Sequence, residues 1–89
     1  MEARVRVTVR GQVQGVSFRV ATRDRARSRG VAGWVRNRPD GAVEAVFEGP
    51  EEAVRSLVDW CRHGPSGAEV ESVGVDCEPV QGERGFAIR

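Results

Sequence analysis

From Arg4 to Arg10 valine takes every second position: Arg4, Val5, Arg6, Val7, Thr8, Val9, Arg10. A period of two marks a strand, because successive side chains on a pleated backbone point to opposite faces. The valines predict a face turned to a core, and the arginines and threonine predict a face turned to water. A strand that is apolar on one side only must be covered there. The rest of the chain therefore has to supply sheet partners and a covering layer.

Both are legible downstream. Residues 17–29 read as a helix of low apolar contrast, with Phe18, Ala21, Thr22 and Ala26 on one face, five arginines elsewhere and Gly30 as its stop. VAGWVRN at 31–37 is a second strand. NRPDG at 37–41 has turn chemistry, and AVEAVFEG after it is a third strand, so the pair predicts a hairpin. The second helix has the sharper signature. Pro50 suits its first position, Glu51 and Glu52 complement its positive end, and Val54, Leu57, Val58 and Cys61 form one stripe. Arg62 and His63 lie at its negative end, and Gly64-Pro65 stops it. After a loop at 65–68, Val70 to Cys77 reads as a fourth strand with Val73, Val75 and Cys77 in phase, and FAIR at 86–89 as a short last one. The order βαββαβ predicts an α+β, ferredoxin-like sandwich: an antiparallel sheet with two helices packed on one face. That plan hosts many functions, so function has to come from a site.

Composition narrows the classes. With 89 residues there is room for one domain, 1–89, and one core. No apolar run approaches the length needed to cross a bilayer, so no membrane partner is expected. The charged start MEARVRVTVR does not resemble a secretory signal, which leads to the expectation of a cytoplasmic protein. Fourteen bases, all arginine, against thirteen acids leave no global field to hold nucleic acid. Cys61 and Cys77 read as two small buried hydrophobes with no need to pair, and a single histidine argues against a metal pair.

Chemistry concentrates in GQVQGVSFR, residues 11–19. A glycine-flanked turn between strand and helix lets successive backbone N–H groups converge, and the first N–H groups of the helix open into the same space. Arg19 stands in the first helical turn, where a cation is unfavourable by roughly 0.3–1 kcal/mol. Its placement makes sense if it closes over a bound anion with a guanidinium fork. Alone, such a loop serves structure as readily as chemistry. Asn37, at a strand end before a tight turn, carries an amide that can accept from a water and donate to an oxyanion at once. Alone, it is a turn former.

Together the two segments resemble the acylphosphatase family. GQVQGVSFR matches the first family signature, Gly-x-Val-Gln-Gly-Val-x-(Phe or Tyr)-Arg, at every specified position. Residues 33–49 are similar to the second, with Gly33, Trp34, Val35, Asn37, Gly41, Val43 and Gly49 at the expected spacing, and EGPEEAV, WCRHGP and GFAIR extend the likeness along nearly the whole chain. The resemblance implies hydrolysis of acyl phosphates to a carboxylate and inorganic phosphate without metal or other cofactor. It implies a phosphate cradle of main-chain N–H groups from Gln14, Gly15, Val16, Ser17 and Phe18. Arg19 would bind the phosphoryl oxygens and Asn37 would orient the attacking water. The implied partners are a small acyl phosphate and inorganic phosphate as product and competitor, with the protein acting as a monomer. Two positions depart from the pattern. Ser17 replaces a glycine common in relatives, its hydroxyl suiting a helix cap, and Ala42 stands where some relatives carry a threonine thought to help hold the water.

Other residues have plainer expected roles. His63 compensates a helix dipole; Trp34 and Trp60 pack; the arginines at 23, 25, 27 and 29 make a solvated face with Asp24; Asp40, Glu51 and Glu52 serve turn and helix start. Two rivals share the fold. A non-catalytic binding module for RNA or protein would present aromatic rings on its central strands, where only Phe47 is found. An acylphosphatase-like domain of a larger carbamoyl-transfer machine is the other.

Overall fold

The computed structural model describes residues 1–89. Its elements run β1 (Glu2–Gln12), α1 (Phe18–Ser28), β2 (Ala32–Asn37), β3 (Val43–Pro50), α2 (Glu51–Cys61), β4 (Glu69–Glu78) and β5 (Phe86–Ile88). They form one sheet in the order β4-β1-β3-β2-β5. The valine strand thus gains a neighbour on each side, β3 and β4, both antiparallel. β2 pairs antiparallel with β3 through the 38–42 turn, and the short β5 adds one parallel rung against Gly33–Val35, which makes the sheet mixed at that edge. Since β1 and β2 both run against β3, their C-terminal ends lie at the same end of the sheet.

Val5, Val7 and Val9 are buried and join Val35, Val43, Ala45 and Phe47 under both helices in a single apolar cluster. α1 contributes Phe18 and Ala26, and α2 contributes Val54, Leu57, Val58 and Cys61, the stripe expected of it. Helix α2 begins at Glu51, so Pro50 caps it rather than occupying its first turn; a ψ of 134° keeps the proline in extended geometry. No helix is long and apolar enough to cross a membrane.

The opposite face of β1 departs from the sequence expectation of a watery surface. Arg4 is only 5% exposed. It donates to Glu48 at 3.0 Å and Glu78 at 2.9 Å, while Arg6 donates to Glu78 and Glu44, each at 2.7 Å. Glu48 also accepts the backbone N–H groups of Gln81, Gly82 and Glu83. The N–H of Gln81, followed by the Arg4 guanidinium and the other two N–H groups, holds the Glu48 carboxyl down at about 2 although desolvation opposes the shift. Trp34 is covered on this face by the guanidinium groups of Arg6, Arg36 and Arg89, 4.5–5.6 Å from its ring.

One further expectation is corrected. Cys77, in phase with Val73 and Val75, is exposed, because β4 is an edge strand that α2 covers incompletely. Cys61 is buried as expected, and burial pushes its thiol up to about 12. Within the arginine row of α1, Arg27 is exposed as expected, and its guanidinium also donates twice to the carbonyl of Phe86, tying the helix to β5. Arg25 lies over Trp60, 4.9 Å from the ring centre.

Candidate active site

Residues 13–17 connect β1 to α1. Val13, 1% exposed, roots the connection in the core. Beyond it Gly15 has φ +78° and Ser17 has φ +61°, with Val16 between them in ordinary negative φ. Alternation of hand along consecutive residues turns their N–H groups into one concavity, an arrangement suited to an anion. Ser17 is the only residue other than glycine with positive φ, a conformation costing a side-chain-bearing residue of order 1 kcal/mol or more. Its hydroxyl makes no capping hydrogen bond, contrary to the helix-cap expectation, because the left-handed backbone carries the side chain away from the helix start.

None of the N–H groups of residues 14–18 donates to another group of the protein. The N–H groups of the first helical turn are open in the same direction, and that turn contains no acidic residue. Arg19, exposed, pairs with no carboxylate. The positive end of α1, a row of free donors and an unpaired guanidinium thus coincide with no protein anion to neutralise them.

Asn37 is the last residue of β2, in register with Val43 of β3. The common polarity of β1 and β2 brings it to the end of the sheet from which the 13–17 loop springs. The two meet in a cleft of about 310 Å³ lined by Val13, Gly15, Ser17, Phe18, Arg19, Val20 and Asn37. That volume is at the small end of ligand pockets. Of the residues singled out by sequence, Gly15, Ser17, Phe18, Arg19 and Asn37 border this space, whereas Val16 packs against the core. Phe18 is buried with its ring 5.4 Å from that of Trp60, which braces the rear of the loop.

The side chain of Gln14 lies outside the cleft lining. Its Nε2 donates to the carbonyls of Arg38 at 2.8 Å and Ala42 at 3.0 Å, the two ends of the β2–β3 turn. The turn is closed by Arg38 N–H donating to the Ala42 carbonyl at 2.8 Å. Asp40 accepts from the Ala42 N–H at 3.1 Å and from Arg10 at 3.3 Å, and forms an ion pair with Arg38 at 3.1 Å. The Ala42 N–H, with lesser help from Arg10 and Arg38, holds the Asp40 carboxyl below its usual range, so it serves as a fixed charge in the turn. His63 is exposed just beyond α2 and lies away from the cleft lining.

Sequence reasoning did not single out Val13 or Val20, which form part of the cleft wall. Val13 is one of the fixed letters of GQVQGVSFR and carried that signal; an exposed valine such as Val20 on a polar helix face is a weaker one.

Comparison with known proteins agrees with this geometry. The family model described as Acylphosphatase matches residues 5–88. A curated acylphosphatase of Rubrobacter xylanophilus is 61% identical over 87 residues, which is 97% of this chain and 79% of the relative. The solved structure of an acylphosphatase from Coxiella burnetii superposes with a TM-score of 0.95 at 36% identity, covering 99% of this chain and 93% of that one. The crystal structure of acylphosphatase from Bacillus subtilis gives 0.94 at 39% identity, covering 100% and 99%.

Proposed function

Because the chain belongs to the acylphosphatase family and hydrolyses acyl phosphates, we propose that the cleft between the 13–17 loop and the end of β2 is its catalytic site, with Arg19 and Asn37 as its two working side chains. The phosphoryl group sits in the concavity of the 14–18 N–H groups, and the Arg19 guanidinium closes over it with two parallel hydrogen bonds. The Asn37 amide oxygen accepts a hydrogen bond from a water and holds it opposite the acyl oxygen. In-line attack forms the new P–O bond as the bond to the carboxylate breaks, and the water's proton passes to a phosphate oxygen.

Such a site can be sparse because the leaving group is good. Phosphoryl transfer through a loose transition state chiefly requires positioning and charge stabilisation, and neither a nucleophilic side chain nor a general base is needed. What carries the reading is one observation: a free N–H loop of alternating hand, an arginine without a counter-charge and a strand-end asparagine open onto a single cleft. A metal-free route belongs to the proposal. The cleft is lined by Val13, Gly15, Ser17, Phe18, Arg19, Val20 and Asn37, a set that offers the phosphoryl group N–H donors and a guanidinium. Inorganic phosphate, the product, fits the same cradle as a competitor, and the unit proposed to act is the monomer. The rival base-stacking module finds no support, for Phe47 is fully buried against Phe86 and Trp34 is roofed by arginines.

The test is benzoyl phosphate hydrolysis by Asn37→Ala, with and without inorganic phosphate. Turnover should fall by two orders of magnitude or more while the phosphate inhibition constant stays within about threefold of the parent, the pattern of a group acting on the water and not on the anion. Normal turnover would remove Asn37 from the mechanism. Excess EDTA should leave the parent rate unchanged.

A further inference from the structure

The Gln14 side chain joins two parts of the cleft that the sheet topology holds apart. β1 and β2 are not neighbours, since β3 lies between them. Loop 13–17 follows β1, while Asn37 ends β2. No backbone hydrogen bond links residues 13–17 to residues 37–42. The one direct polar link is the Gln14 amide, with Nε2 donating to Arg38 O at 2.8 Å and Ala42 O at 3.0 Å. These carbonyls flank the turn on both sides, and Arg38 is bonded covalently to Asn37. Arg10 reaches Asp40 from β1 as well, but at 3.3 Å between two half-exposed side chains, a loose and solvent-screened contact.

We infer that Gln14 is a positioning residue that sets the distance between the phosphoryl cradle and the water-orienting Asn37. The inference rests on the catalytic reading above and adds to it a side-chain role distinct from the backbone N–H of the same residue. A rate that depends on in-line placement is sensitive to displacements below an ångström. An amide with both hydrogens committed to opposite ends of a turn fixes translation and tilt together. Only a side chain with two donors on one nitrogen and the length of glutamine meets both carbonyls; a methionine has the length without the donors, and a glutamate has donors only when protonated.

The experiment compares Gln14→Met, Asn37→Ala and the double variant in benzoyl phosphate hydrolysis, with inorganic phosphate as inhibitor. Gln14→Met should lower kcat about tenfold or more and leave the phosphate inhibition constant within twofold. In the Asn37→Ala background the same substitution should change kcat by less than twofold, because there is no oriented water left to misplace. An unimpaired Gln14→Met, or an equal loss of rate in both backgrounds, overturns the inference. If Asn37→Ala has no measurable rate, Gln14→Glu decides: its kcat relative to the parent should rise about tenfold as pH is lowered through the carboxylate range, when the protonated acid regains one donor. A ratio flat with pH overturns the inference. Normal turnover by Asn37→Ala is a different failure, since it sinks the catalytic reading itself, whereas a crippled Asn37→Ala beside a fully active Gln14→Met sinks the clamp alone.

Discussion

Arg19 sits where its charge harms the fold, so removing it should raise stability as it destroys binding. The cation lies in the first turn of α1, a turn without an acid, and no carboxylate pairs with it. Replacement by glutamine loses no ion pair, keeps nearly the same helix propensity, and relieves an unfavourable dipole interaction of about 0.3–1 kcal/mol. In a domain of this size each kcal/mol moves the melting point by about 4–8 °C, so Arg19→Gln should melt roughly 1–8 °C above the parent in phosphate-free buffer. With phosphate the order should reverse. At a concentration one hundred times its dissociation constant, a ligand bound only by the folded state adds about 2.7 kcal/mol, which the parent gains and the variant does not. Thermal unfolding followed by circular dichroism, with and without phosphate at constant ionic strength, reads both effects. The reasoning is refuted if the variant is less stable than the parent by 1 kcal/mol or more without phosphate, or if phosphate raises both melting points equally.

Other consequences follow from the packing. Glu48 is held at about 2, and Glu78 and Glu44 are also depressed, the former by Arg6 and Arg4, the latter against its own burial by Arg6 and Arg36. Carboxyls with folded-state values below their unfolded ones contribute stability that is complete above about pH 4.5 and is lost as pH falls toward 2; urea midpoints should decline over that window, and Glu48→Gln should flatten the decline. Thiol reagent should label Cys77 in the native protein and reach Cys61, buried and with its thiol pushed up to about 12, only after denaturant is added; two equivalents reacting natively would contradict the packing of α2. Gly33→Ala should cost 2 kcal/mol or more or abolish folding, since at φ +137° its Cβ would stand 1.8 Å from the Val46 carbonyl oxygen; a chemical melt unchanged within error would contradict the backbone path of β2.

Much of this architecture can be read from local pattern. The valine alternation of β1, the 54–61 stripe of α2 and the Pro39–Gly41 turn each depend on neighbours in sequence, and each appears where periodicity and turn chemistry place it. What eluded sequence reasoning depends on partners far along the chain. Arg4 looks like a solvent residue until Glu48, Glu78 and Glu83, 44 to 79 positions away, converge on it. Cys77 has the phase of a core residue, and only its place on an edge strand leaves it open. In the site, Arg19 stood out because it violates a local electrostatic preference, and Asn37 because it precedes a turn. The clamp made by Gln14 left no such mark, because a glutamine in a polar loop breaks no local rule and its two acceptors lie 24 and 28 residues downstream.

The most direct test of the shared pocket is a titration of inorganic phosphate into nitrogen-15-labelled protein, followed by amide resonances. The backbone signals of Gly15, Ser17 and Phe18, the Arg19 Nε–H and the Asn37 side-chain amide should move together along one saturation curve that matches the inhibition constant. Phosphate inhibition accompanied by still resonances in residues 14–19, with the shifts concentrated on another surface, would contradict the account.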